Sequence, residues 1–130
     1  MEEEQLPVNE DPARDVVAAA LRGVLERDNS LSRCCAVRAL GRLQVDDRET
    51  LECLIALLHD PDPDVRLDVA VMLGGSGQNK AVPALVESLL NDPEGEVRIE
   101  AARALAKLGA PQAVEPLIRC LREDGLPQLD

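Results

Sequence analysis

The sequence predicts an all-α solenoid, and three observations carry that prediction: an internal repeat of about 32 residues, a helical period within each copy, and a core that must be aliphatic. At that offset Val65-Arg66, Ala70 and Leu73-Gly74 recur as Val97-Arg98, Ala102 and Leu105-Ala106, and less closely as Ser32-Arg33, Val37 and Leu40-Gly41. A second segment follows in each copy. Ala81-Val82-Pro83 and Leu85 return as Ala113-Val114-Glu115 and Leu117, with residues 50–58 in the same place in the first copy and 16–27 as an orphan segment ahead of them all.

Each segment has apolar residues three and four apart, as in Val97, Ala101, Leu105 and Leu108, or Val114, Leu117, Ile118 and Leu121. That spacing makes an apolar stripe along a helix, so the unit is a helical hairpin. The expected helices are 12–27, 31–43, 47–58, 63–74, 79–90, 95–108 and 111–122. Asp62-Pro63-Asp64 and Asp92-Pro93-Glu94 supply an Asp cap and a first-turn proline before two first helices, with acidic side chains at the positive helix end. Gly74, Gly75, Gly77 and Gly109 are placed to end the first helices. One hairpin cannot bury its own apolar face, whereas stacked hairpins share a continuous core.

Composition then narrows the function. The 130 residues contain no Phe, Tyr or Trp, so the core is built from Leu, Val, Ala and Ile, and no ring is available to stack on a base or a cofactor. The net charge is −11; Glu2, Glu3, Glu4, Glu10 and Asp11 carry five of these charges, and the remainder still nets −6. Such a field repels phosphate backbones and anionic lipid surfaces, which argues against nucleic acid and membrane partners. No apolar run reaches the roughly 20 residues of a membrane span. With no basic and apolar leader at the N-terminus, the reading is a cytoplasmic protein. The four cysteines, Cys34-Cys35, Cys53 and Cys120, lack the paired spacing of a zinc or redox site, and no cofactor or metal is expected. Residues 1–11 read as an acidic disordered tail, 12–122 as the repeat domain, and 123–130 as a C-terminal tail or the start of a further repeat.

Asp92-Pro93 through Leu108-Gly109, with Ala81-Val82-Pro83, resembles the HEAT-like repeats of the phycobilin lyase type. The first copy departs, with Ser32 at the Val position and Thr50-Leu51 where Val-Pro is expected. The resemblance implies about three and a half HEAT-like hairpins in a scaffold that holds other proteins, with enzymes as scattered exceptions. It also implies that the second helices line a concave surface. The iron-dependent hydroxylases that resemble this fold need several His-Glu pairs, which a chain with His59 alone lacks; the HEAT-like DNA glycosylases need a basic groove and aromatic residues.

Asp28, Asp60, Asp92 and Asp124 recur every 32 residues, followed after five or six residues by Arg33, Arg66 and Arg98 in the first three copies. A feature present in every copy reads as what joins the copies: Asp accepting backbone N–H groups and Arg reaching across the inter-repeat turn. His59 falls at a helix end, as an exposed residue. Cys53 aligns with the core positions Leu85 and Leu117, whereas Cys35 aligns with Asp68 and Glu100 and is the one thiol expected to react. The partner-binding face is read as Ala19, Gly23, Leu51, Ile55, Pro83, Glu87, Glu115 and Arg119, an exposed apolar patch at Leu51 and Ile55 flanked by small residues. The expected function is a non-catalytic adaptor for another protein. The alternatives are an accessory subunit of a bilin lyase or cofactor-maturation complex, and self-association through the C-terminal helix.

Overall fold

The structure, a computed structural model, describes residues 12–26, 29–43, 47–120 and 122. The expected tails 1–11 and 123–130, with Asp28 and Asp124, lie outside the described residues. Seven α-helices and no strand occur among the described residues: α1 (Pro12–Val24), α2 (Ser30–Arg42), α3 (Arg48–Ala56), α4 (Pro63–Gly75), α5 (Val82–Asn91), α6 (Gly95–Leu108) and α7 (Val114–Cys120). None is long and apolar enough to cross a membrane. α2, α4 and α6 pack on one another as one layer; α1, α3, α5 and α7 form the second, and each of α1, α3 and α5 also packs on the first-layer helix that follows it. This is the predicted all-α solenoid.

The helix starts follow side-chain chemistry. Asn29 caps α2 by accepting the Leu31 N–H at 2.9 Å, Asp47 caps α3 through the Thr50 N–H at 2.7 Å, and Asp62 caps α4 through the Asp64 N–H at 2.8 Å with Pro63 in the first turn. The third first-layer helix differs from expectation. Asp92 lies two residues before the cap position, as Asp60 does in the preceding copy, and Glu94 holds that position without a side-chain bond. The second helices are shorter than their apolar pattern, and tight 3₁₀ turns complete them: Leu57–His59 ends α3, while Asn79–Ala81 and Pro111–Ala113 lead into α5 and α7. α1 likewise ends at Val24, ahead of the expected 27.

Gly109 ends α6 in the left-handed conformation at φ 63°, as a C-terminal glycine should. Gly74 and Gly75 instead belong to the last turn of α4, which Ser76 closes. Gly74 is there for proximity: a Cβ on it would stand 2.7 Å from the Ala104 Cα of α6. The core is aliphatic throughout, with Val37, Leu40, Val65, Val69, Leu73, Leu85, Leu89 and Leu105 at or near zero exposure. Each buried Leu or Val contributes about 1.5–3 kcal/mol.

Candidate functional site

The recurring Asp and Arg side chains form rungs between copies. Arg33 donates to Asp60 from Nε at 2.8 Å and Nη2 at 3.0 Å, and Arg66 donates to Asp92 in the same forked way at 2.9 and 3.3 Å. Each carboxylate also accepts a backbone donor, Asp60 from the Asp62 N–H and Asp92 from the Glu94 N–H, both at 2.9 Å. Arg66 Nη1 donates back to the Asp60 carbonyl at 2.8 Å, and Arg98 Nη1 does so to the Asp92 carbonyl at 2.7 Å. Forked, charge-assisted bonds of this kind fix orientation as well as distance, so each rung sets the angle of one copy on the next. Asp60 is 6% and Asp92 9% exposed, and their lone pairs are engaged within the chain. At the outer edge, Arg38 holds Asp68 at 3.2 Å, which raises the Arg38 guanidinium above its ordinary value.

The second helices define the exposed face. On α5 the inward set is Ala81, Val82, Leu85, Ser88 and Leu89, which leaves Pro83 and Glu87 exposed. On α3 the inward set is Thr50, Leu51, Leu54 and Leu58, with Thr50 at 0% and Leu51 at 5% exposure. Leu51 is therefore core, and Ile55 is half-buried against the core rather than part of an open apolar patch. The equivalents of Pro83 and Glu87 are Glu52 and Ala56, both exposed and both missed by the sequence alignment. The physical reason is loop length. Leu40 to Leu54 spans fourteen positions where Leu73 to Leu85 spans twelve, two extra residues, and an alignment that sets Cys53 opposite Leu85 allows for only one of them, so it turns α3 by one residue. Anchoring on Leu54 and Leu58 instead of the helix start recovers the register. The same slip moves Cys53 opposite Ala84, and it is half-buried rather than a core residue. Ala19, Gly23, Glu115 and Arg119 are exposed.

Along this face the small residues Ala19, Gly23, Ala56 and Pro83 alternate with the acidic Glu52 and Glu87. Between the 3₁₀ turn Leu57–His59 and the end of α5 there is a cleft of about 320 Å³ lined by His59, Glu87, Asn91 and Pro93, with the Arg66–Asp92 rung at its base. His59, exposed at its helix end, points Nε2 at Glu87 Oε1 3.4 Å away. Among the described residues no group of three His, Cys, Asp or Glu side chains is placed to hold a metal ion. The thiols divide by environment. Cys35 is exposed on α2; Cys34 is buried against α4, where burial and then the Asp68 carboxylate push its pKa from 9.0 up to about 11. Burial also raises the Cys53 thiol.

The repeats match the family described as HEAT repeats over residues 17–98 and again over 51–128. No curated protein matches the chain. Among solved structures the chain is similar to the complex of CpcE and CpcF of phycocyanin lyase from Nostoc sp. PCC7120, with a TM-score of 0.74 and 28% identity over 95% of this chain and 48% of that one. The chain thus spans about half the length of that relative.

Proposed function

The chain belongs to the HEAT-repeat family, and from that premise we propose that it is a non-catalytic scaffold that holds another protein on the outward face of its second helices. The observation that carries this reading is the division of labour among side chains. The charged groups at the copy junctions are consumed by rungs such as Arg33–Asp60 and Arg66–Asp92, while Ala56 and Pro83 stand exposed on the second-helix face and Glu87, exposed beside His59, lines an open cleft. Small side chains let a partner's backbone approach, and Glu52 and Glu87 favour a partner segment with Lys or Arg.

The test is co-purification from the source cell extract with the natural chain and with an Ala56→Arg, Glu87→Arg double variant whose helix content is checked first. Loss of the partner from a folded variant supports the face; equal retention by both chains sinks it. A second reading has its own observation. The likeness to the phycocyanin lyase complex favours an accessory role in a bilin lyase or cofactor-maturation complex, with exposed Cys35 as the candidate thiol. Incubation with a bilin would then leave visible absorbance on the natural chain after gel filtration and none on Cys35→Ser.

A further inference from the structure

The cleft at the end of α5 contains a polar group that the fold leaves unused. Ser88 lines it and is only 7% exposed, yet its hydroxyl makes no hydrogen bond among the described residues. Because no fully covered side-chain nitrogen or oxygen among the described residues lacks a partner, that hydroxyl reaches the cleft. A serine inside a helix commonly bonds back to a carbonyl of the preceding turn, and a hydroxyl taken almost out of water without a partner is costly. The matching place in the first copy holds Leu57, so the repeat itself does not require a hydroxyl there. Two more acceptors stand beside it. Glu87 and Asn91 are four residues apart on α5 and Ser88 is three before Asn91, spacings that bring the three side chains onto one patch of the helix, and all three line the cleft.

Charge and shape select the occupant. At the base the charges cancel, Arg33 against Asp60 and Arg66 against Asp92, which leaves the Glu87 carboxylate, with the His59 Nε2 3.4 Å away on the opposite wall. Leu58 and Pro93 add apolar wall. A cation with several donors on an apolar stem fits these groups. The lysine ammonium carries three donors and no acceptor at the end of four methylenes, whereas the planar fork of arginine matches the two oxygens of one carboxylate better than a carboxylate, a hydroxyl and an amide. Residues 1–11 and 123–130 contain no Lys or Arg, so neither tail supplies the cation, and the net −11 of the whole chain adds to the attraction for one. We propose that the cleft takes the ammonium of one lysine of the partner segment, held by the Glu87 carboxylate, the Ser88 hydroxyl and the Asn91 amide oxygen. This rests on the scaffold reading and names the side chain that the second-helix face selects.

The test is NMR titration of the isotope-labelled chain with N-acetyl-lysine methylamide, beside the norleucine analogue, which has a similar stem and no charge, and the arginine analogue. The lysine probe is expected to move the amide signals of Glu87, Ser88 and Asn91 with a dissociation constant on the order of millimolar, as suits a single side chain. The arginine probe should bind at least about threefold more weakly and the norleucine probe not at all. Ser88→Ala, which changes no charge and is checked by circular dichroism, should weaken the lysine probe about fivefold, and Glu87→Gln about tenfold or more. Shifts scattered over the acidic surface, a Ser88→Ala chain that binds as the natural one does, or equal binding of any two probes overturns the proposal. So does a natural chain that sediments as a dimer and becomes monomeric on Lys80→Gln or Lys107→Gln, which would make the occupant a second copy. The two readings fail separately: a natural chain that retains a protein partner but takes no lysine probe sinks the cleft alone, whereas localised uptake of the probe with no protein retained supports the cleft and sinks the scaffold face.

Discussion

The second helices α3 and α5 occupy equivalent places and reach them by different routes. α3 starts abruptly at the Asp47 cap and finishes in the 3₁₀ turn Leu57–His59; α5 starts through the 3₁₀ turn Asn79–Ala81, with no side-chain cap, and runs as α-helix to Asn91. Both nevertheless deliver the same inward set, Thr50, Leu51, Leu54 and Leu58 in one and Ala81, Val82, Leu85 and Leu89 in the other. A 3₁₀ turn winds at about 3.0 residues against 3.6 for the α-helix, so moving it from one end to the other absorbs a difference in loop length without turning the buried stripe. The stack dictates which side chains point inward, and the helix ends give way.

The largest expected effect tests that register directly. Leu51→Asp should destabilise the chain by about 3–5 kcal/mol, because it buries an unpaired carboxylate. Glu52→Lys, one residue on, should change stability by less than about 0.5 kcal/mol. Urea unfolding of the two variants decides the matter: if Glu52→Lys is the damaging one, α3 is turned by a residue and Leu51 belongs to the exposed face after all.

A middle-sized effect distinguishes the first copy from the second through pH. Cys34 stands where α4 has Leu67, so only the first copy carries a titratable group at this contact. Its pKa is raised from 9.0 to about 11, chiefly by burial. The unfolded chain therefore loses this proton first: the contribution is fully present below pH 9, falls as pH rises towards 11, and is level above that. The loss is on the order of 2 kcal/mol. Unfolding free energies of the natural chain and Cys34→Ala should diverge across that window, and parallel curves would refute the assignment.

The smallest effect concerns the two entrances. Asp47→Ala removes the α3 cap and should cost about 1 kcal/mol. Gln78→Ala, at the matching entrance to α5, removes no cap bond and should cost under about 0.5 kcal/mol. Thermal melts that rank the two the other way would show that the 3₁₀ entrance, not the Asp47 side chain, is the weaker design.

The later copies were the most legible. Their apolar period is regular, Pro63 and Gly109 stand at a helix start and a helix end as expected, and Val97, Ala101 and Leu105 are buried as their spacing requires. The outward column at Pro83 and Glu87 was legible for the same reason. The first copy was not, because Thr50, Leu51, Leu54, Ile55 and Leu58 place small or apolar side chains on both sides of α3, and a helix so furnished satisfies the period in two registers. Glu52 and Ala56 were missed in consequence, as was the pairing of His59 with Glu87, which joins side chains 28 positions apart.

By itself the sequence determined the all-α class, the hairpin repeat, the aliphatic core and the recurrence of Asp and Arg, since these are local periods and compositions repeated along one chain. Tertiary structure alone decided which way α3 faces, where each helix gives way to a 3₁₀ turn, and which carboxylate each arginine grips. Those outcomes depend on the packing of copies against one another. Arg33 meets Asp60 and Arg66 meets Asp92 only once neighbouring hairpins are stacked, and a one-residue rotation of about 100° is settled by what the next layer will bury.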